Sequence, residues 1–500
     1  MPSDATAPRN FAANDRTDER SLHAVPNPLP LTLAGMLAAL GPQAINFGIS
    51  IGGGEAYLLP NVSARGTLHM HWLMTISVIL ETALVYECIK YSICTGRSFF
   101  AATNDLGPRG FWPWFWAVVT ILTFAWPAWM GGAVIAAHRF IGIDNPLPFG
   151  PPHYFWAIVA LLAVLVVFYF SNRTYAFLSK FFTVIMFANI VLVLLITLIA
   201  AKPQHYVQVL LGYLGITFLT EGYPKALPPT DALALFNQPG GSLMWVSFWV
   251  IGAGFGMGRY AGQVTGVLRP PENITAQEIR WNENDAGERA KMQQWVKIGG
   301  YSLILWWAII GGLIMTYLYS VAGLAYLHED FLKTGKIPTG VQVPLQMATI
   351  AQGVLGPMAG WLMLLFIMVT LYDAQFPLYD TYIGRTTCDA IAVTGKARHP
   401  YRYYYFIVVT AAVLAGFYLI TVAQPFILWI GVAISALVYR SIGAWQIMLI
   451  NNRRLPDGFK VSRLNTTLLW ITVVTGFGGV GYWMLTVLPK ELCKNWKLLC

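Results

Sequence analysis

Residues 32–61 read TLAGMLAALGPQAINFGISIGGGEAYLLPN, and this stretch decides the fold. At about 1.5 Å of rise per residue it is long enough to cross a bilayer as a helix. Three consecutive glycines, Gly52, Gly53 and Gly54, interrupt it, and Glu55 follows at once. Each glycine costs a helix roughly 1 kcal/mol relative to alanine, so the run is expected to unwind it. Non-helical backbone at membrane depth is stable only where it is buried in protein or lines a wet cavity. A carboxylate beside it is costly in lipid and marks a pathway or binding site. A glycine-interrupted membrane segment is also the sequence pointer to a binding site between two halves of a bundle. The competing reading is a glycine-kinked packing helix whose Glu55 snorkels to the interface.

The composition sets the class. Of 500 residues, 56% are hydrophobic and only 11% charged, against about 25% charged in soluble domains, so the chain reads as an integral membrane protein. A net charge of +9 would point to nucleic acid in a soluble chain; here it reflects loops that carry excess Lys and Arg, and no nucleic-acid partner is expected. The 19 Trp and 24 Tyr suit interfacial belts. The five cysteines show no paired metal-ligand spacing. Cys88 and Cys94 read as packing residues, while Cys493 and Cys500 form either a disulfide or two free thiols. Residues 1–31 are polar, lack the apolar core of a signal peptide and are expected to be a disordered cytoplasmic tail.

Eleven apolar segments follow, at about 32–61, 70–94, 112–138, 153–171, 175–201, 241–268, 296–326, 353–383, 403–422, 425–450 and 465–487. The connection between the fifth and sixth, with TEGYPKALPPTD, reads as an external cap. The sixth is again glycine-broken, WVIGAGFGMGRYAGQ, and stands five after the first. Broken helices at matching positions predict an inverted five-plus-five repeat, about 32–201 and 241–450, with an extra helix at 465–487 and a tail at 488–500. Loop charges orient it. Arg97, Arg109, Arg173, Arg269, Arg280, Arg289, Lys291, Lys396, Arg398, Arg402, Arg453, Arg454, Lys460 and Arg463 fall on the side of the N-terminus. Arg139, Lys202, Lys225, Lys333, Lys336 and the lysines of the C-terminal tail fall opposite. That bias predicts a cytoplasmic N-terminus and an extracytoplasmic C-terminus in a bacterial inner membrane.

Ionisable residues within these spans are Glu55, Glu81, Glu87, Lys90, Arg259, Asp373, Asp380 and Arg440. Glu87 and Lys90, three apart near a helix end, read as an interfacial pair. Arg440 is expected to have a structural partner. Asp373 and Asp380 are seven apart, so on one helix they share a face, lining a cavity or holding salt bridges. Arg259 follows the glycines of the sixth segment as Glu55 follows those of the first. In an inverted repeat the two meet at the midplane, as a gate, a substrate clamp or mutual neutralisation. Glu81 reads equally as a gating acid or a hydrogen-bonded core residue.

The strings GPQAINFGISIGGGEAYLLPNVSARG, YSICTGRSF, TYIGR and NNRRLP resemble the Nramp metal-transporter family, and the order of segments matches it over about 32–487. The resemblance implies a LeuT-like fold of ten core helices, here all-α with eleven spans, and alternating-access transport of Mn²⁺ or Fe²⁺ with protons. This sequence departs from the family at its ligands. Gly52, Gly53, Gly54 and Glu55 stand where the family has Asp-Pro-Gly-Asn, and Gly256, Met257 and Gly258 where it has Met-Pro-His. Trp126 and Trp129 replace the acids of the family's third-helix proton path. What remains is mainly oxygen, which suits a hard cation such as Mg²⁺, with family-type proton coupling in doubt.

The leading expectation is therefore an Nramp-like transporter or facilitator of a divalent cation, Mg²⁺ or Mn²⁺ favoured, with no cofactor. Glu55 is the metal ligand, and Gly52 to Gly54, Gly254, Gly256, Met257 and Arg259 complete the substrate site. Asn46, Glu81, Asp373, Asp380, Trp126 and Trp129 gate or support it. A second reading is a small organic or zwitterionic solute held by Glu55 and Arg259; a third is a non-transporting sensor or scaffold. No nucleophile–base pair, P-loop or HExxH motif points to an enzyme.

Overall fold

The computed structural model describes residues 22–51, 55–125, 127–221, 229–238, 240, 243–336, 342–422, 425–487 and 489. The chain is all-α. Its first crossing is α1 (Leu40–Ile51), preceded by a short turn at Leu33–Ala38, and α2 (Glu55–Ala64). There follow α3 (Trp72–Thr95), α4 (Phe111–Phe124), α5 (Ala128–Ile141), α6 (Tyr154–Phe170) and α7 (Thr174–Ala200). The second half opens with α8 (Pro229–Phe236) and α9 (Val246–Gly252), the latter entered through a turn at Leu243–Trp245. Next come α10 (Ala286–Ser302), a widened stretch at Leu303–Met315 and α11 (Thr316–Thr334). The bundle closes with α12 (Pro357–Asp373), α13 (Thr386–Val393), α14 (Tyr401–Val422), α15 (Pro425–Arg454) and α16 (Arg463–Tyr482).

Among the described residues, seven stretches are long and apolar enough to cross a membrane unaided, from Leu68–Thr95 to Arg463–Thr486. Together with α6, α15 and the two interrupted helices they make the eleven crossings expected. The pair α1/α2, which flanks the undescribed residues 52–54, and the pair α8/α9 stand at corresponding places in the two halves of five. Close helix approach depends on small residues, as in other membrane bundles. A side chain at Gly323 of α11 would run into the Pro60 backbone of α2, so this contact tolerates nothing larger than hydrogen.

The sixth crossing differs from its expected place. Its first half is α8, in a stretch read as an external cap; the helix ends at Phe236, Asn237 and Gln238 form a turn, and helical backbone is described again from Leu243. The cluster Gly254–Gly258 lies beyond the helix end. There the N–H of Gly254 donates to the Ile251 carbonyl at 2.9 Å and that of Phe255 to Val250 at 3.3 Å, with Gly254 at φ 72°. This is a Schellman termination, in which glycine takes the left-handed position that closes a helix. The cluster stops a helix where it was expected to break one.

The N-terminal tail also differs in part. The described residues 22–31 pack along α10: the Trp295 indole donates to the Pro26 carbonyl at 2.9 Å and Gln294 to Leu29 at 2.8 Å.

Candidate functional site

The site is built around the two interruptions. On α1 the residues Gln43, Asn46 and Ser50, spaced three and four apart, form one polar stripe in an otherwise apolar helix. Asn46 donates to Gln43 at 3.2 Å and Ser50 donates to Asn46 at 3.4 Å, while the Trp307 indole donates to Ser50 at 3.0 Å. All three stripe residues are buried, so the stripe leads polar atoms to the first interruption from inside the protein. Gly52, Gly53 and Gly54 themselves lie outside the described residues. Glu55 opens α2 and is 1% exposed. A carboxylate at a helix N-terminus faces unsatisfied N–H groups and the positive end of the macrodipole.

Asp373 faces this helix from α12. It is the helix's last residue, fully buried, and neither carboxylate oxygen has a hydrogen-bond partner. It lies against Gly48 of α1: a Cβ there would run into the Phe182 ring and fall 3.3 Å from Asp373 Oδ2. Gly48 lies one turn before residues 52–54, about 6 Å along the axis of an α-helix. Tyr319, buried on α11 with its hydroxyl unbonded, is close enough to interact electrostatically with both Glu55 and Asp373. Gln375 brings a buried amide whose oxygen and nitrogen are also unbonded. Tyr319 and Gln375 were missed in the sequence, where neither carries a motif.

Asp380 does not join Asp373. The backbone stays helical through Gln375–Pro377, but Leu378–Arg385 is wound more widely than an α-helix, so the seven-residue spacing no longer sets a common face. Asp380 instead accepts from Arg385 Nε at 3.2 Å and from the Tyr405 hydroxyl at 2.6 Å, all buried. It is a neutralised structural acid.

Glu81 and Arg440 organise the second interruption. Arg440 is fully buried, and its Nη1 donates to Glu81 at 2.8 Å, to Ser77 at 2.9 Å and to the Phe236 carbonyl at 3.2 Å. Phe236 ends α8, so the guanidinium satisfies one of the carbonyls a helix C-terminus leaves open. Arg440 Nε, Arg440 Nη2 and Glu81 Oε2 have no partner. Below the break, Trp245 stacks on Tyr382 at 4.0 Å and 6°, with Phe124 edge-on to both, and the Trp245 indole donates to Thr386 at 3.1 Å. These aromatics also escaped the sequence reading, being indistinguishable there from core.

Four expected site residues lie elsewhere. Gly254 and Gly256 belong to the termination described above, and the Met257 carbonyl packs on Gly96 at the end of α3. Arg259 is exposed, next to Tyr260, whose hydroxyl donates to the Ala24 carbonyl at 2.8 Å and whose ring meets His23. Arg259 is thus at the surface and Glu55 in the core, so the expected pair does not form. Trp129 is buried in the main core, and Trp126 lies outside the described residues. Glu87 pairs with Lys90 at 2.7 Å, but both are buried, with Asn451 and Asn465 donating to the carboxylate at 2.7 Å each.

Among the described residues no three His, Cys, Asp or Glu side chains come together. Any ion held at Glu55 and Asp373 would therefore complete its shell from backbone carbonyls, amides and hydroxyls, a wholly oxygen-based set.

No protein-family model matches the sequence, and no curated protein does. Solved structures do match. A manganese transporter of Eremococcus coleocola, in complex with an aromatic bis-isothiourea compound, superposes with a TM-score of 0.65 at 13% identity, over 94% of this chain and 92% of that one. Two mutants of the same transporter give TM-scores of 0.64 and 0.62 at 12% identity, over 93% and 95% of this chain and 89% and 92% of theirs. At such identity the likeness is one of fold, and the fold is that of an all-α, LeuT-like membrane transporter.

Proposed function

We propose that the chain is a secondary transporter or facilitator of a hard divalent cation, Mg²⁺ or Mn²⁺, working by alternating access about its two interrupted helices. The observation that carries this reading is Asp373, a fully buried carboxylate with no side-chain partner, set against the first helix one turn before residues 52–54. A carboxylate removed from water needs a counter-charge, and among the described residues no basic side chain pairs with it. Glu55 adds a second acid, and Tyr319 lies within the field of both. The all-oxygen donor set favours ions that bind carboxylates, carbonyls and waters over those that seek sulfur or imidazole. The interruptions supply backbone carbonyls and freedom to move. The resemblance to Nramp transporters and the fold of a manganese transporter agree with a cation as cargo.

The test is uptake into proteoliposomes of Mg²⁺ and Mn²⁺, with Ca²⁺ as comparison, by the wild type and Glu55→Gln. Saturable uptake that the substitution removes, in a variant that inserts and folds normally, is the expected result. Wild-type vesicles no more permeable to any of the three ions than empty ones would overturn the reading and leave a sensor or scaffold.

One observation favours a second reading, a zwitterionic organic solute, on different residues from those first expected. Arg440 keeps Nε and Nη2 unbonded, the parallel edge that grips a carboxylate with two hydrogen bonds, and Glu81 Oε2 beside it is open to an ammonium. Uptake of glycine abolished by Arg440→Gln, with cation uptake absent, would establish it in place of the first.

A further inference from the structure

A groove of about 700 Å³ runs along the outside of the bundle, between the end of α6, the loop after α9 and the first turns of α14. Its floor is aromatic: the Tyr169 ring meets Phe406 at 4.5 Å, and the Tyr169 hydroxyl bonds Thr410 at 2.7 Å. Its walls include Ile407 and Leu414, which lie on one face of α14 and are 50% and 56% exposed. An apolar trough of this kind accepts hydrocarbon.

The mouth has the opposite character. Arg402 lines it, with Nη1 pinned to the carbonyls of Gly266 at 3.1 Å and Arg269 at 2.6 Å. Among the described residues no carboxylate pairs with Arg402. Arg269, whose carbonyl Arg402 holds, and Arg398, four residues before Arg402 in the chain, are both exposed. The acid nearest in sequence to Arg269, Glu272, is occupied by Arg173 at 2.7 Å and by the N–H of Gln263 at 2.9 Å. One arginine, held in place by a neighbouring loop, therefore stands at the end of an apolar trough, with two more exposed arginines close to it along the chain. Guanidinium groups bind phosphate bidentately and charge-assisted.

We propose that this groove is a site for one anionic phospholipid, its acyl chain along Ile407 and Leu414 and its phosphate at Arg402. The site is independent of the transported solute. The lipid bridges α6, α14 and the loop leaving the second broken helix, all three of which line the groove.

The probe is phosphatidylglycerol, with phosphatidylcholine as the zwitterionic control, titrated onto the delipidated full chain in detergent and read by native mass spectrometry. The expected result is one tightly retained phosphatidylglycerol per chain and weaker retention of phosphatidylcholine. Arg398→Gln, at an exposed position with no fold contact at stake, should weaken phosphatidylglycerol about fivefold, the contribution of one basic side chain near an anionic lipid. Arg402→Gln should weaken it by at least as much, and Leu414→Trp, which fills the trough, should displace both lipids. Equal retention of the two lipids, indifference to all three substitutions, or two chains joined through this face in place of lipid would each overturn the proposal.

Discussion

Asp373 and Asp380 stand seven residues apart, equally buried, on consecutive parts of one membrane crossing, yet their surroundings are opposite. Asp380 is met by Arg385 and Tyr405; Asp373 meets no side-chain donor and sits against a glycine. Burial alone does not separate a structural acid from a functional one. The counter-charge does: where the fold supplies an arginine the carboxylate is a strut, and where it supplies none the carboxylate is left for something that arrives from outside. Glu81, paired with Arg440, belongs with Asp380 by this measure.

The comparison breaks most visibly in transport. Asp373→Asn should lower cation uptake by about 100-fold or more, since a ligand charge is lost, while the melting temperature stays near that of the wild type or rises. Asp380→Asn should do the reverse. It strands Arg385 in the core and costs about 3–5 kcal/mol of stability, with uptake per folded molecule close to normal. Thermal unfolding in detergent beside vesicle uptake reads both, and two variants failing in the same way would erase the distinction.

Smaller effects sharpen it. Gly256→Ala forces a side chain onto a backbone at φ 50°, against the Ile93 carbonyl, and should cost about 1–2 kcal/mol while leaving cation binding unchanged. A large loss of binding in that variant would return the Gly254–Gly258 cluster to the site. The smallest effect concerns Glu278, half-buried in the loop before α10, whose carboxyl is pushed above its ordinary range by burial and only partly restored by Arg97. A raised acid binds more protons folded than unfolded, so its contribution falls as pH rises from the ordinary carboxylate value through the folded one, then stays flat. Glu278→Gln should remove that decline, a change below about 1 kcal/mol, measurable as melting temperature against pH.

Much of the architecture was legible from the chain. The apolar segments and the two pairs of short helices five crossings apart rest on composition and helix energetics, which act locally; the break expected at Gly52 to Gly54 lies outside the described residues. The second interruption was misplaced for a physical reason. Gly254 to Gly258 imitate the first break in composition, but a glycine cluster ends a helix as readily as it breaks one, and hydrogen bonds decide which. The segment PTDALALF is only eight residues long and follows a proline-rich stretch, so it lacks the length that marks a membrane helix. Its true signal, Asn-Gln-Pro-Gly-Gly-Ser, stands in the sequence without an apolar run on its N-terminal side to reveal it. Arg259 followed the misplaced break to the wrong end of the molecule. The contrast between Asp373 and Asp380 was invisible, because it depends on a widened helical stretch that shifts their common face and on which side chains pack beside each. Tyr319 and Gln375 reach the site only through tertiary packing.

The most direct test of the account is calorimetric titration of Mg²⁺ and Mn²⁺ into the purified chain, with Asp373→Asn and Asp380→Asn measured side by side. The account predicts saturable binding in the wild type and in Asp380→Asn, and none in Asp373→Asn. Binding that survives in Asp373→Asn, or that disappears in a folded Asp380→Asn, would contradict it.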